Sequence, residues 1–260
     1  MKSPVDLHLD ILSKKIFQTE DKWPQFELLL TDLQELAAAT KPEQIIVSLE
    51  RTLLYGGYSL IAPIFSNGSF ISVDCSPESA EERGAYNYKM VDDPSFIKHQ
   101  FDVRAVVDDT KIEDESTDLL LIPNLVHHVA DQDSMFKEAY RILKPGGMLY
   151  IFEPLVRELH QIPDDFLRYT PYGLAGQMEK FGFQVQDSRH HGGPFEVISY
   201  CWFQALEYIP EDERSKFETW FKEKHFKELM ELDQKYPQNL SRRHTSFPTS
   251  FSVFAKKERL

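Results

Sequence analysis

Residues 118–152 constrain the fold more than any other stretch of this chain. Leu119 to Ile122 is an apolar run of strand length. Asp133 to Leu143 follows at helical period, with Met135, Phe136, Ala139, Ile142 and Leu143 on one face. Lys144-Pro145-Gly146-Gly147 then stops the helix. Proline cannot continue a helix, and glycine allows the positive φ of a sharp exit. Met148 to Phe152 is a second apolar strand. Strand, amphipathic helix and strand in so short a span form a βαβ crossover, which joins parallel strands.

The same alternation extends in both directions. Ile45 to Leu49, Phe70 to Val73, Phe101 to Val107 and Phe183 to Val185 read as strands, and Leu53 to Phe65 and Pro171 to Phe181 as helices. Ser66-Asn67-Gly68 and Gly182 end the two helices. The expected fold class is α/β, a mainly parallel sheet with helices on both faces and ligands bound beyond the carboxyl ends of the strands. Residues 1–41 read as an N-terminal helical cover over an edge or mouth of an α/β domain at 42–260. In that cover Pro24 opens a helix whose Phe26, Leu29, Leu30, Leu33 and Leu36 share a face, and Lys41-Pro42 ends it. Beyond Gly192-Gly193, Glu196 to Tyr208 and Asp212 to Leu232 read as helices. They form a C-terminal helical insertion at about 196–235, too short to bury a core of its own. Thr249 to Ala255 alternates and reads as the last strand.

Bulk properties narrow the partners. The 260 residues carry a formal net charge of -13, which disfavours nucleic acid. Cys75 and Cys201 are the only cysteines, which suggests a reducing compartment without a disulfide framework. Met1 to Asp10 lacks the apolar run of a signal peptide, and no stretch approaches the about 18 apolar residues of a membrane span. The expectation is a cytoplasmic protein that acts on a small-molecule substrate, without nucleic acid or membrane; a homodimer stays open.

Several motifs carry a family likeness. Asp118-Leu-Leu-Leu-Ile, Asn124-Leu-Val-His-His-Val and Arg141-Ile-Leu-Lys-Pro-Gly-Gly stand in order around the crossover. Together they resemble the class I S-adenosylmethionine (SAM) methyltransferases, near the quinone-biosynthesis C-methyltransferases, over roughly residues 43–193. The segment from Glu158 through His160, Arg168, Tyr169 and Thr170 to Leu174 is similar to a subgroup associated with surface polysaccharide or sugar pathways. The resemblance implies a Rossmann-like fold and SAM as cofactor. It places Asp74 at the ribose hydroxyls, Asp108 or Asp109 near the adenine amino group, and Asn124 and Leu125 along the methionine end. The residues alone also allow plainer roles: Asp74 as the cap of the Ser76-Pro77 turn, and Asp108 and Asp109 as part of a solvated acidic loop.

The first loop departs from the family pattern, an acid followed by three alternate glycines. Glu50 stands at the acid and Gly56 at the last glycine, but Thr52 and Leu54 replace the first two. Side chains there should intrude on the cofactor or force another loop path, so SAM binding is in doubt on this feature. His127, His128, His160, His190 and His191 lack a tight ligand spacing, and no metal site is expected. His128 and His160 could serve as general bases at the pocket mouth, one of the adjacent pair packing under the sheet instead. Arg168, Tyr169 and Tyr172 could hold a substrate carboxylate, phosphate or sugar, or Arg168 could pair with Asp164 or Asp165. Two functions follow. One is methyl transfer to oxygen or nitrogen of a small, sugar-related molecule; the other is a binding or scaffolding protein that has lost SAM.

Overall fold

Alternation along each strand decides which helices it meets. In β1 (Ile45–Glu50), Val47 and Leu49 face one side of the sheet and Ile46 the other. The computed structural model describes residues 2–51, 58–76, 93–237 and 247–258. Six further strands join β1: β2 (Ser69–Asp74), β3 (Val103–Arg104), β4 (Thr117–Pro123), β5 (Leu143–Pro154), β6 (Phe183–His191) and β7 (Ser250–Lys257). They form a 7-stranded sheet in the order β3-β2-β1-β4-β5-β7-β6. The first five strands pair in parallel; β7 runs antiparallel between β5 and β6.

One face of the sheet buries α3 (Gln132–Ile142) and α4 (Pro171–Lys180). Met135, Phe136, Ala139, Leu174 and Met178 pack on Val47, Leu120, Ile151 and Val253. Asp131 caps α3 by accepting from the Ser134 N–H at 3.1 Å, and Thr170 caps α4 through the Gly173 N–H at 3.1 Å. The opposite face is covered by the N-terminal segment. It comprises α1 (Pro4–Ile11), a wide helical turn over Leu12–Phe17 and α2 (Phe26–Ala39), packed on Ile46, Leu121, Tyr150 and Phe152. Leu60, Ile61, Ile64, Phe65 and Phe96 complete the cover of that face. Three later helices, α5 (Pro194–Leu206), α6 (Glu211–Phe221) and α7 (Lys227–Lys235), precede β7. Phe203, Leu206 and Phe221 give them a small apolar cluster of their own.

Two expected elements differ. Of the helix expected over Leu53–Phe65, residues 53–57 lie outside the described residues. The remainder is not an α-helix: Tyr58–Ser59 pairs with His99–Gln100, and a single tight turn spans Ala62–Ile64. Pro63 accounts for this, since it has no N–H for an interior helical bond. The strand expected over Phe101–Val107 shrinks to β3. The Asp102 carboxylate accepts from both the Ser72 N–H and hydroxyl at 2.8 Å, and the chain turns back at Val106–Asp109. At the Lys144-Pro-Gly-Gly break, β5 starts immediately after α3 and its pairing with β4 shifts, with Gly146 at φ 83°.

Candidate functional site

The sheet order reverses between β1 and β4, so the connections leaving these strands diverge and open a crevice beyond their carboxyl ends. A cavity of about 420 Å³ lies there. Glu50 and Arg51 reach it from β1, Pro123 and Asn124 from β4, and Arg157, Glu158, His160 and Gln161 from the loop after β5. The N-terminal cover closes it with apolar side chains, among them Leu12, Phe17, Trp23, Phe26 and Leu33.

Glu50 is 1% exposed. The Ser59 hydroxyl donates to its Oε1 at 2.7 Å, and Oε2 is buried with no hydrogen-bond partner among the described residues. Burial raises its carboxyl to about 7. Asn124 sits at φ 54°, held by its N–H donating to the Phe152 carbonyl at 2.7 Å. Its Oδ1 is also buried and unpartnered among the described residues. Arg51 pairs with Asp164 at 3.0 Å. The Arg157 guanidinium lies 4.2 Å over the Trp23 ring, and its Nε stands 3.1 Å from the Glu158 carboxylate without hydrogen-bond alignment. Its Nη1 has no hydrogen-bond partner among the described residues.

Beside the cavity three imidazoles meet. His127 and His128 form the turn after β4, and His160 comes from the loop after β5. His127 is fully buried, with Nδ1 2.6 Å from the Glu153 carboxylate and Nε2 3.3 Å from His160 Nε2. His128 Nδ1 meets the Asp164 carbonyl, and His160 Nδ1 lies 3.1 Å from the Glu158 carbonyl. Burial lowers all three, His127 to about 3, His128 to about 2 and His160 to about 4, so the rings are neutral near pH 7.

The sequence-derived candidates separate into those that reach the cavity and those that do not. Glu50, Asn124 and His160 line it. Gly56, and with it Thr52 and Leu54, lies outside the described residues. Asp74 stands opposite Glu50 in the β1–β2 register, but its Oδ1 accepts from the Ser76 N–H at 3.0 Å, the turn-capping role. Asp108 and Asp109 are exposed, and Asp109 pairs with Lys111. Leu125 is 1% exposed and belongs to the core on the α3 face. His128 is buried away from the cavity, and both His160 nitrogens face protein atoms, so neither presents a nitrogen lone pair to a substrate there. Arg168 donates to the Asp165 carboxylate at 2.9 Å and the Glu158 carbonyl at 3.0 Å, and thereby shapes the loop. Tyr169 donates to Gln132, and Tyr172 is 78% exposed on α4. Arg51 and Arg157 were not among the sequence candidates, although Arg51 directly follows β1 and Arg157 lies in the loop just beyond β5, where such sheets bind ligands.

Comparison with known proteins agrees with this architecture. The family described as a methyltransferase domain matches residues 55–151. An arsenite methyltransferase of Halobacterium salinarum is 24% identical over 183 residues, covering 69% of this chain and 42% of that protein. The chain thus spans well under half of that relative's length. Among solved structures, a SAM-dependent methyltransferase from Archaeoglobus fulgidus matches 95% of this chain and 98% of its own, with 14% identity and a TM-score of 0.51. The [4+2]-cyclase SpnF matches 92% of this chain and 84% of its own, with 14% identity and a TM-score of 0.52. Residues 55–151 thus match a methyltransferase domain, and the fold is that of the SAM-dependent methyltransferases among the solved structures.

Proposed function

We propose that this protein transfers a methyl group from SAM to oxygen or nitrogen of a small, mainly apolar molecule. The observation that carries this reading is the pair of unpartnered buried oxygens, Glu50 Oε2 and Asn124 Oδ1, at neighbouring strand ends on one cavity wall. A buried acceptor left without a donor costs free energy, so two together suit a ligand that brings N–H groups. The ammonium of the cofactor's methionine end is such a ligand, and the residues present fit it. When bound there, SAM supplies an electrophilic methyl group. Glu50 and Asn124 would hold and orient that end, and Asp74, one strand further out, would offer its remaining carboxylate oxygen to the ribose hydroxyls.

The rest of the cavity speaks to the acceptor. Its apolar lining from the N-terminal cover disfavours a bare sugar and favours an apolar skeleton. Arg157, 4.2 Å over the Trp23 ring and with a buried Nη1 that has no hydrogen-bond partner among the described residues, suits a carboxylate on that molecule. Catalysis would rest on proximity and orientation, with the polar groups at the strand ends holding the cofactor and the apolar cover holding the acceptor. The fold by itself does not name the reaction, since a [4+2]-cyclase shares it.

Thermal denaturation of the full chain with SAM or S-adenosylhomocysteine tests the reading. Either ligand at a hundred times its Kd should stabilise the protein by about 2.7 kcal/mol. No shift at millimolar concentration of either would leave a binding or scaffolding role as the better account.

A further inference from the structure

His127, His128 and His160 are brought together from two segments, and each holds its ring the same way. Nδ1 of His128 meets the Asp164 carbonyl, and Nδ1 of His160 meets the Glu158 carbonyl at 3.1 Å. A carbonyl carries no proton, so both rings donate from Nδ1–H, and a neutral ring then has a bare lone pair on Nε2. The third ring, His127, has Nδ1 2.6 Å from the Glu153 carboxylate. The far nitrogens face one another. His127 Nε2 and His160 Nε2 stand 3.3 Å apart, and His128 Nε2 is buried with no partner among the described residues. One ring nitrogen of each histidine lies within 4.8 Å of those of the other two.

A proton on His127 Nε2 would satisfy the His127–His160 contact but leave the His128 lone pair stranded. One cation would satisfy all three once the widest pair, up to 4.8 Å apart, draws in to the spacing of ligands on a shared ion. Two nitrogen ligands at about 2.0–2.1 Å from a tetrahedral zinc stand about 3.3 Å apart. The outer oxygens complete the pattern, since metal-bound imidazoles donate their other N–H to a carboxylate or carbonyl.

We propose that His127, His128 and His160 bind one divalent late transition-metal ion through their Nε2 atoms, with Glu153, Asp164 and Glu158 orienting the rings. An all-imidazole set suits zinc, cobalt, nickel or copper and not magnesium or calcium. Three protein ligands leave a fourth position on a tetrahedral ion. The site is independent of the methyl-transfer reading, which uses none of these nitrogens.

The test is metal binding by the full chain, stripped with chelator and titrated without SAM. Zinc chloride should bind at one equivalent per chain by calorimetry. Cobalt chloride should give the visible absorption of a tetrahedral site. His127 is fully buried and its loss could prevent folding, so His160→Ala, on the cavity-lining loop, is the ligand variant. It should keep the wild-type circular dichroism spectrum and lose zinc affinity by at least about tenfold, while Glu153→Gln should lose about 10–100-fold. Zinc uptake well below one equivalent by folded wild type, or His160→Ala binding as tightly as wild type, would overturn the proposal.

Discussion

Glu50 combines two properties that rarely coexist: it is wholly buried, and one of its oxygens has no hydrogen-bond partner among the described residues. Its carboxyl, raised by burial to about 7, is neutral in the folded protein at mild acid pH and charged above. In the unfolded chain the same group ionises near its usual value of about 4.3. The folded state therefore binds the extra proton between these values, and the stability this confers is lost as pH rises through about 7. Glu50→Gln mimics the neutral form. In ligand-free protein it should match wild type near pH 4 and exceed it by roughly 2–4 kcal/mol at pH 8. Urea denaturation at the two pH values checks this; equal curves at pH 8 would show that Glu50 is not strained by charge. The same variant should weaken SAM about 10–100-fold, the worth of a hydrogen bond to a charged group.

Asp32 does the corresponding work between elements. It lies on α2, fully buried, and its carboxylate receives the Ser252 hydroxyl of β7 at 2.6 Å, the Tyr150 hydroxyl of β5 at 3.1 Å and the Arg189 Nη1 of β6 at 2.7 Å. One side chain thus ties the helical cover to three neighbouring strands. Asp32→Ala leaves two buried hydroxyls without their acceptor, while Arg189 keeps Glu35 and Asp187. It should cost about 2–4 kcal/mol, the penalty of buried groups left unpaired. A loss below about 1 kcal/mol in chemical denaturation would mean that the two hydroxyls find other partners. The loop after β5 is organised similarly, with Arg168 joining Asp165 to the Glu158 carbonyl and Arg51 reaching Asp164 from β1. That bracing holds His160 against the turn after β4.

Across the whole molecule the sheet separates two cores. The N-terminal helices share theirs with β1, β4 and β5, so they should unfold together with the sheet. The helices α6 and α7 rely instead on the small cluster around Phe203 and Phe221, and α7 has no buried residue. Native-state hydrogen exchange should find amides of α6 and α7 opening several kcal/mol below those of β1, β4 and β5. Equal protection throughout would show that the insertion is part of the global cooperative unit. Among the described residues no helix is long and apolar enough to cross a membrane.

Order and type of elements were legible where the pattern is local. The βαβ unit from β4 through α3 to β5 follows from periodicity and from Pro145 and Gly146, because a helix stop and an apolar face are properties of neighbouring residues. The helix α1 is marked locally only by the capping box of Ser3 and Asp6 with Pro4 at its first position, too short a signal to predict a helix by itself. Within the site, Glu50 and Asn124 could be placed from their positions at strand ends. Arg168 could not, since its choice between a ligand and Asp165 depends on how a loop closes. Nor could the three histidines, because His160 is 33 residues from His127 and no spacing rule links them. They meet because the chain leaving β5 folds back until the Phe166 N–H donates to the His127 carbonyl at 2.8 Å. Short-range patterns determine which strands and helices form; side-chain chemistry converging from separate loops exists only once the sheet has set those loops side by side.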